Sequence, residues 1–378
     1  MITTINNKHN KLNVPNLRFP EFQGEWEKCK LSEICTFFSG GTPSSSNKDF
    51  YGGNIAFIRS GELHADSTEL FITQAGFDSS SAKMVEVGDL LLAMYGATSG
   101  DIAVSKIKGA INQAILCIRT KQNKKFIESV WNKHVSKNLR KYLQGGQGNL
   151  SADIVKGISF FFPTLKEQEK IANLVYLLDE RIATQNKIIE DLKKLKSAIS
   201  ENLFKAVKGD VVILCEICEI IKGKQINGEF LSEKGKYYVM NGGTEPSGYY
   251  SDCNVEANTI SISEGGNSCG YVQFNSSPFW SGGHCYTIQK LAENVDNMYL
   301  YHYLKSKEDA IMKLRIGSGL PNIQKKDLAM FKIKLPNVEQ QKSISTFLSS
   351  LERKAEIEER IRNSILDEKR CLLHQMFI

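Results

Sequence analysis

Residues 164–204 read TLKEQEKIANLVYLLDERIATQNKIIEDLKKLKSAISENLF, and residues 337–377 read NVEQQKSISTFLSSLERKAEIEERIRNSILDEKRCLLHQMF. A constant offset of 173 aligns the two without a gap: Pro163 falls on Pro336, Gln168 on Gln341, Ile171 on Ile344, Lys196 on Lys369 and Phe204 on Phe377. Few residues are identical, but the apolar pattern is retained, as expected of one element used twice.

Both copies read as long helices. A proline precedes each, Glu and Gln crowd the first turn, and neither contains Gly or Pro. With Ile171 at heptad position a, the a/d series is Ile171, Leu174, Leu178, Arg181, Gln185, Ile188, Leu192, Leu195, Ile199 and Asn202, with Val175, Ile182, Ile189 and Leu203 widening the stripe. The second copy carries Ile344, Phe347, Leu351, Lys354, Glu358, Ile361, Ile365, Glu368, Leu372 and Gln375 at the same places. Forty residues at the helical rise make a rod roughly 60 Å long, too thin to hold a core of its own. The two copies therefore bury their stripes against each other. Antiparallel pairing with aligned midpoints sets Arg181 against Glu358 and Gln185 against Lys354, a polar layer that would fix register. The alternative is that all four side chains reach solvent from the edge of the seam.

The chain of 378 residues is long enough for two or three domains, and its composition is that of a soluble globular protein. No apolar run spans a bilayer and the first residues, MITTINNKHNKLN, are polar, so neither a signal peptide nor an anchor is expected. Nine cysteines without regular spacing fit a reducing, cytoplasmic setting. The net charge of +6 is unevenly placed. Each rod carries seven basic and seven acidic residues, so the surplus sits on the stretches between them. It permits nucleic-acid binding without requiring it.

Those stretches are themselves a repeat. LSEICTFFSGG (31–41) matches LCEICEIIKGK (214–224) at an offset of 183. GDLLLAMYGATSGDIAV (88–104), two strands joined by a Gly turn, is echoed by TISISEGGNSCGYVQF; the strand AINQAILCIR (110–119) is echoed by SGGHCYTIQ. A helix over 126–143 and one over 297–313 each lead to a Gly-rich loop and a last strand ending at Pro163 or Pro336. The opening arm LRFPEFQGEW (17–26) offers Phe19, Phe22 and Trp26 as docking anchors. The expected architecture is α+β: two similar α/β domains separated by two long helices paired as an antiparallel coiled coil, a pseudo-two-fold internal repeat. Its segments are an arm and first domain over 1–163, a helical spacer over 164–204, a second domain over 205–336 and a second spacer over 337–378.

Catalytic signatures are missing. There is no G-x-x-x-x-G-K-[ST] phosphate loop, and the glycines of 264–270 have the spacing of a hairpin turn rather than a dinucleotide fingerprint. Cys215 and Cys218 form a C-x-x-C without a second pair, and the matching positions in the first repeat are Ser32 and Cys35, which favours packing over metal binding. His9, His64, His134, His284, His302 and His374 show no ligand grouping; His284 alone sits in a Gly-rich loop that reads as exposed. No acid/base pair is legible, so the chain is not expected to be an enzyme by itself.

In this order and repetition, the LRFPEFQGEW opening, the GGTPS loop at 40–44, GDLLL at 88–92, LKEQEKIA at 165–172 and the alternation of blocks and rods resemble the specificity subunits of type I restriction–modification systems. The second rod departs by starting VEQQKSIS at 338–345. The resemblance implies that each block is a target-recognition domain reading one half of a bipartite double-stranded DNA target, with the helices setting the spacing. It implies two methyltransferase subunits docked on the rods, carrying S-adenosylmethionine and methylating adenine, and motor-nuclease subunits using ATP and Mg. No cofactor is implied for this chain, and the N-P-P-[YF] motif of adenine methyltransferases is absent from it. The rival reading is a non-catalytic protein-interaction scaffold with paired ligand-binding domains.

Base and phosphate contacts call for Arg, Lys, Asn, Gln, Ser and Thr on loops, with Gly letting backbone approach phosphates. In the first block the DNA-binding candidates are Thr42, Ser44, Ser45, Asn47, Lys48, Arg59, Tyr95, Ser99, Gln147 and Asn149. In the second they are Lys222, Lys224, Gln225, Asn241, Asn267, His284, Arg315, Ser318 and Asn322. Asn149 and Asn322 occupy matching places, where turn capping is the competing role.

Overall fold

The computed structural model describes residues 3–4, 13–142, 150–317 and 321–378. Most of the polar N-terminal tail, with His9, the Gly-rich stretch carrying Gln147 and Asn149, and Ser318 lie outside the described residues. The chain divides into two units, Met1–Thr184 with Ile361–Ile378, and Gln185–Arg360. Each unit thus takes one half of each long helix, Leu165–Ala206 and Val338–Met376.

Both units are built on the same plan. In the first, Cys35–Ser39, Ile115–Thr120, Leu90–Ala93 and Ile102–Val104 form an antiparallel sheet in that order. In the second, Glu219–Lys222, Cys285–Gln289, Thr259–Ser263 and Val272–Asn275 do the same. The central strands LLLA and TISIS are buried along their whole length. A second sheet carries one parallel pair in each unit, Tyr51–Ile58 with Gly109–Ile111 and Tyr237–Met240 with Trp280–Ser281. The sequence reading of 110–119 as a single strand is therefore corrected. The Asn112 side chain accepts the Ala114 N–H at 3.0 Å, and this turn hands the chain from one sheet to the other.

Two matched glutamines tie helix to block. The Gln168 amide donates to the Pro163 carbonyl at 2.9 Å and accepts the Asn123 N–H at 3.1 Å. The Gln341 amide donates to the Pro336 carbonyl at 2.8 Å and accepts the Asp296 N–H at 2.8 Å. Both side chains are buried. In each unit the glutamine joins the first turn of a long helix to the turn that starts the block's own helix, Lys124–Tyr142 or Asn297–Ser306. In the first unit Arg18 adds a buried two-pronged pair with Glu167 at 2.7 Å, and Trp26 packs edge-on to Phe126. The Trp26 anchor of the opening arm is thereby accounted for.

The far ends of the helices are docked by aromatic packing. Phe377 lies 5.2 Å from Phe126 and 6.4 Å from Trp26, inside the first unit. Its repeat mate Phe204 lies 5.6 Å from Tyr299 and 5.2 Å from Tyr303, inside the second. Each ring is almost fully buried, contributing on the order of 2 kcal/mol.

The helical seam has a different phase from the one assigned above. The protected positions on Leu165–Ala206 are Ile171, Val175, Leu178, Ile182, Gln185, Ile189, Leu192, Lys196, Ile199 and Leu203. Their mates Ile344, Leu348, Leu351, Ala355, Glu358, Arg362, Ile365, Lys369, Leu372 and Met376 are protected on the other helix. The heptad is kept, but spacings of four and three replace three and four. Arg181, Ile188, Leu195, Phe347, Lys354 and Ile361 consequently face solvent. The proposed polar layer is corrected accordingly. Arg181 and Lys354 lie outside the seam, and Gln185 donates to the Glu358 carbonyl at 3.3 Å and to its carboxylate, not to Lys354. The physical reason is that Ile182 and Leu203 make a more apolar second row than Arg181 and Asn202, so burial selects that row.

Register is held by charge at the seam lysines. Lys196 pairs with Glu352 at 2.8 Å in the second unit, and its mate Lys369 pairs with Asp179, the mate of Glu352, in the first. These pairs, with Gln185 and Glu358, show that the helix segments within each unit run antiparallel. Asp179 also receives Lys125 at 2.9 Å. Burial pushes the Asp179 carboxyl up, but the hydrogen bonds from Lys369 and Lys125 outweigh it and hold the group below the usual carboxylate range.

Replacing Gln168 or Gln341 by Leu strands a buried N–H and a buried carbonyl, and the loss should be roughly 2–4 kcal/mol in urea unfolding of the full chain. A change within 0.5 kcal/mol, on the order of a neutral surface substitution, would show that the glutamines do not anchor the helices. Because the folded pKa of Asp179 is depressed, its stabilisation is present above the unfolded value and is lost as pH falls through the folded one. Asp179→Asn should lower stability at neutral pH and flatten the decline below about pH 4; an acid limb identical to that of the unaltered chain would contradict this.

Candidate nucleic-acid interface

Backbone bonds give the correspondence between the blocks at one end of each main sheet. The Met94 N–H donates to the Ala114 carbonyl at 2.8 Å, its carbonyl accepts the Leu150 N–H at 2.8 Å, and Gly100 N–H bonds Ala93. In the second block Glu264 N–H donates to the His284 carbonyl at 2.9 Å, its carbonyl accepts the Ile323 N–H at 2.8 Å, and Gly270 N–H bonds Ser263. Met94 and Glu264 are thus the same position, as are Ala114 and His284. The parallel strand pairs match Arg59 with Asn241 in the same way.

In the first block this end gathers Thr42, Arg59, Tyr95 and Ser99. Thr42 donates to the Gln113 side-chain oxygen at 2.6 Å, and Ser99 donates to the Met94 carbonyl at 3.0 Å. Tyr95 follows Met94 and is exposed. Arg59 is already engaged, its guanidinium gripping Glu62 at 2.7 and 3.2 Å, and this hydrogen bonding lowers the Glu62 pKa although burial opposes it. Ser44, Ser45, Asn47 and Lys48 stand on the outer loop. Ser44 bonds Ser46 at 2.7 Å, and Asn47 caps the turn Lys48–Phe50 through the Asp49 N–H. Lys48 is exposed, with no ion pair among the described residues. Glycine has a different use here from the phosphate approach expected above. A Cβ on Gly40 would overlap the Ile111 carbonyl, and one on Gly41 would overlap Ser81, so these glycines serve internal packing.

The second block gathers Lys222, Gln225, Asn241, His284 and Asn322 around Glu264. The Lys222 ammonium meets Glu264 Oε1 at 2.6 Å. The Asn241 side-chain oxygen accepts the His284 N–H at 3.2 Å. A Cβ on Gly283 would overlap the Gln225 amide, and one on Gly282 would overlap Asn241, so two loop glycines let these amides lie over the strand end. Asn322 bridges Ile316 and Gly265 through its backbone. Lys224 bonds Ser281 through its N–H at 2.9 Å and takes the Trp280 indole N–H on its carbonyl at 3.0 Å. Asn267 and Arg315 are exposed nearby on the Gly-rich turn and the following loop. Gln147, Asn149 and Ser318, outside the described residues, join neither group.

Glu264 is the residue that sequence reasoning passed over. It is buried, with the Tyr286 hydroxyl 3.0 Å from its Oε1, and the Tyr286 pKa is raised by burial and by that carboxylate. The available signal was a charged residue placed directly after a fully buried strand. Of the C-x-x-C pair, Cys218 is buried with its thiol on the Leu214 carbonyl at 3.2 Å, and burial pushes it up to about 12, whereas Cys215 is exposed.

Two surfaces of equivalent backbone and different side chains are what paired readers of different sequences require. The model of the type I restriction modification DNA specificity domain matches the chain twice, over residues 23–194 and 207–367. The protein belongs to that family: it is a type I restriction–modification specificity subunit with two target-recognition domains. A putative type I restriction enzyme specificity subunit of Methanocaldococcus jannaschii is 24% identical over 413 aligned positions, covering 94% of this chain and 93% of the relative. A putative type I specificity subunit of Mycoplasma pneumoniae is 34% identical over 158 residues, 41% of this chain and 40% of its own length. The crystal structure of an S subunit from M. genitalium superposes with a TM-score of 0.67 at 18% identity, over 97% of this chain and 99% of that one. The fold expectation, two α/β domains with long intervening helices, agrees with that likeness.

Proposed function

We propose that this subunit directs adenine methylation to a bipartite DNA sequence, the first domain reading one half and the second the other. The observation that carries this is the pair of matched strand ends bearing Arg59, Met94 and Ala114 in one block and Asn241, Glu264 and His284 in the other. Identical placement with unlike chemistry yields two unlike half-sites. The stiff helices hold the distance between half-sites constant, and Lys48 and Lys224 supply phosphate contacts that position rather than specify.

Two methyltransferase subunits dock on the helices. Tyr176, Leu177, Ile188, Leu195, Phe347, Ile357 and Ile361 are exposed apolar residues on otherwise charged rods, and they fit a protein partner. S-adenosylmethionine belongs to those partners, and ATP with Mg to motor-nuclease subunits that join them in the cytoplasm. No helix among the described residues is long and apolar enough to cross a membrane.

Mapping methylated adenines in cells with and without this chain tests the reading. Two short motifs separated by a fixed number of arbitrary bases should disappear together on deletion, and exchanging residues 205–336 should change one motif only. Binding to random duplex should weaken steeply with salt, and Lys48→Ala or Lys224→Ala should each reduce the logarithmic slope by about one. A salt-independent affinity would favour a protein-interaction scaffold instead.

A further inference from the structure

Glu264 directly follows the central strand of the second domain, Thr259–Ser263, and its two carboxylate oxygens are in different circumstances. Oε1 takes the Lys222 ammonium at 2.6 Å and lies 3.0 Å from the Tyr286 hydroxyl. Oε2 is buried and has no hydrogen-bond partner among the described residues. His284 Nδ1 stands 3.8 Å from it, too far for a hydrogen bond. An ionisable oxygen left without a donor is a standing cost that a donor from outside the chain would remove. The His284 ring over it is largely exposed, and no hydrogen bond fixes that ring among the described residues; only its backbone is held, by Asn241 and Glu264.

Resting on the function proposed above, we propose that Glu264 is a specificity-determining residue of the second domain, its Oε2 accepting a hydrogen bond from an exocyclic amino group of one target base once His284 turns aside. A carboxylate there can only accept. In the major groove the donors are cytosine N4 and adenine N6, and each pair that carries one also presents an acceptor beside it. Lys222, held against Oε1, supplies the matching donor. In the first domain the equivalent position, paired with Ala114, holds Met94, whose side chain offers no such acceptor. The difference between the half-sites therefore begins at this floor position.

The test uses the intact complex with its methyltransferase partners and selection from random-sequence duplexes. Glu264→Met, which installs the first domain's residue, should cost roughly ten-fold of the preference at one cytosine or adenine of a single half-site and leave the other positions intact. The unaltered complex is then offered duplexes in which each cytosine or adenine of that half-site is replaced in turn by 2-pyrimidinone or purine, which lack the amino group. One replacement should weaken binding about ten-fold, and its identity tells cytosine from adenine. This arm stands even where Glu264→Met fails to fold. Equal binding of every analogue, or uniform weakening across all positions in Glu264→Met, would mean that Glu264 serves only to hold the loop and Lys222. Absence of any sequence preference in the unaltered complex would instead overturn the proposed function, and this inference with it.

Discussion

The arrangement depends on a buried amide used twice. Gln168 and Gln341 each sit at the first turn of a long helix and satisfy backbone groups on both sides of a junction, the carbonyl of the preceding proline and an N–H at the start of the block's own helix. A long amphipathic helix has no intrinsic exit direction. Two-point recognition by a buried amide gives it one, because either hydrogen bond lost leaves a polar group unpaired. The aromatic pockets around Phe204 and Phe377 close the far ends by the non-directional counterpart, apolar burial. Within each unit, one helix start is thus fixed by direction and one helix end by burial.

Charge refines what packing leaves open. A heptad seam of Ile, Leu and Val tolerates a slip of one turn at modest cost, whereas Lys196 with Glu352 and Lys369 with Asp179 do not. Gln185 with Glu358 adds a neutral-to-charged contact between repeat mates. Partly buried pairs of this kind contribute little net energy and considerable registry, since the penalty falls on misaligned states.

Recognition follows the opposite logic. The strand ends that carry Met94 and Glu264 share their backbone bonds, and the loops around them share little else. Polar loop residues found by composition divide into those engaged with the protein and those left available. Arg59 is committed to Glu62 and Asn47 to a turn cap, while Lys48, Tyr95 and His284 face outward. Composition cannot separate these groups, because the distinction lies in neighbours contributed by distant stretches such as Gln113 for Thr42.

What the chain's sequence determined by itself was everything periodic or repeated: the two long helices, the duplicated α/β block, the matched Gln168 and Gln341, and the family. Periodicity survives without knowledge of neighbours, since it reflects local helix and strand geometry. Only tertiary structure decided the phase of the seam, the pairing of Gln185 with Glu358, the packing role of Gly40 and the isolation of Glu264 Oε2. Each of these turns on displacements of one residue or a few ångströms between segments far apart in the chain. Burial and hydrogen-bond satisfaction discriminate at that scale, and residue identity alone does not.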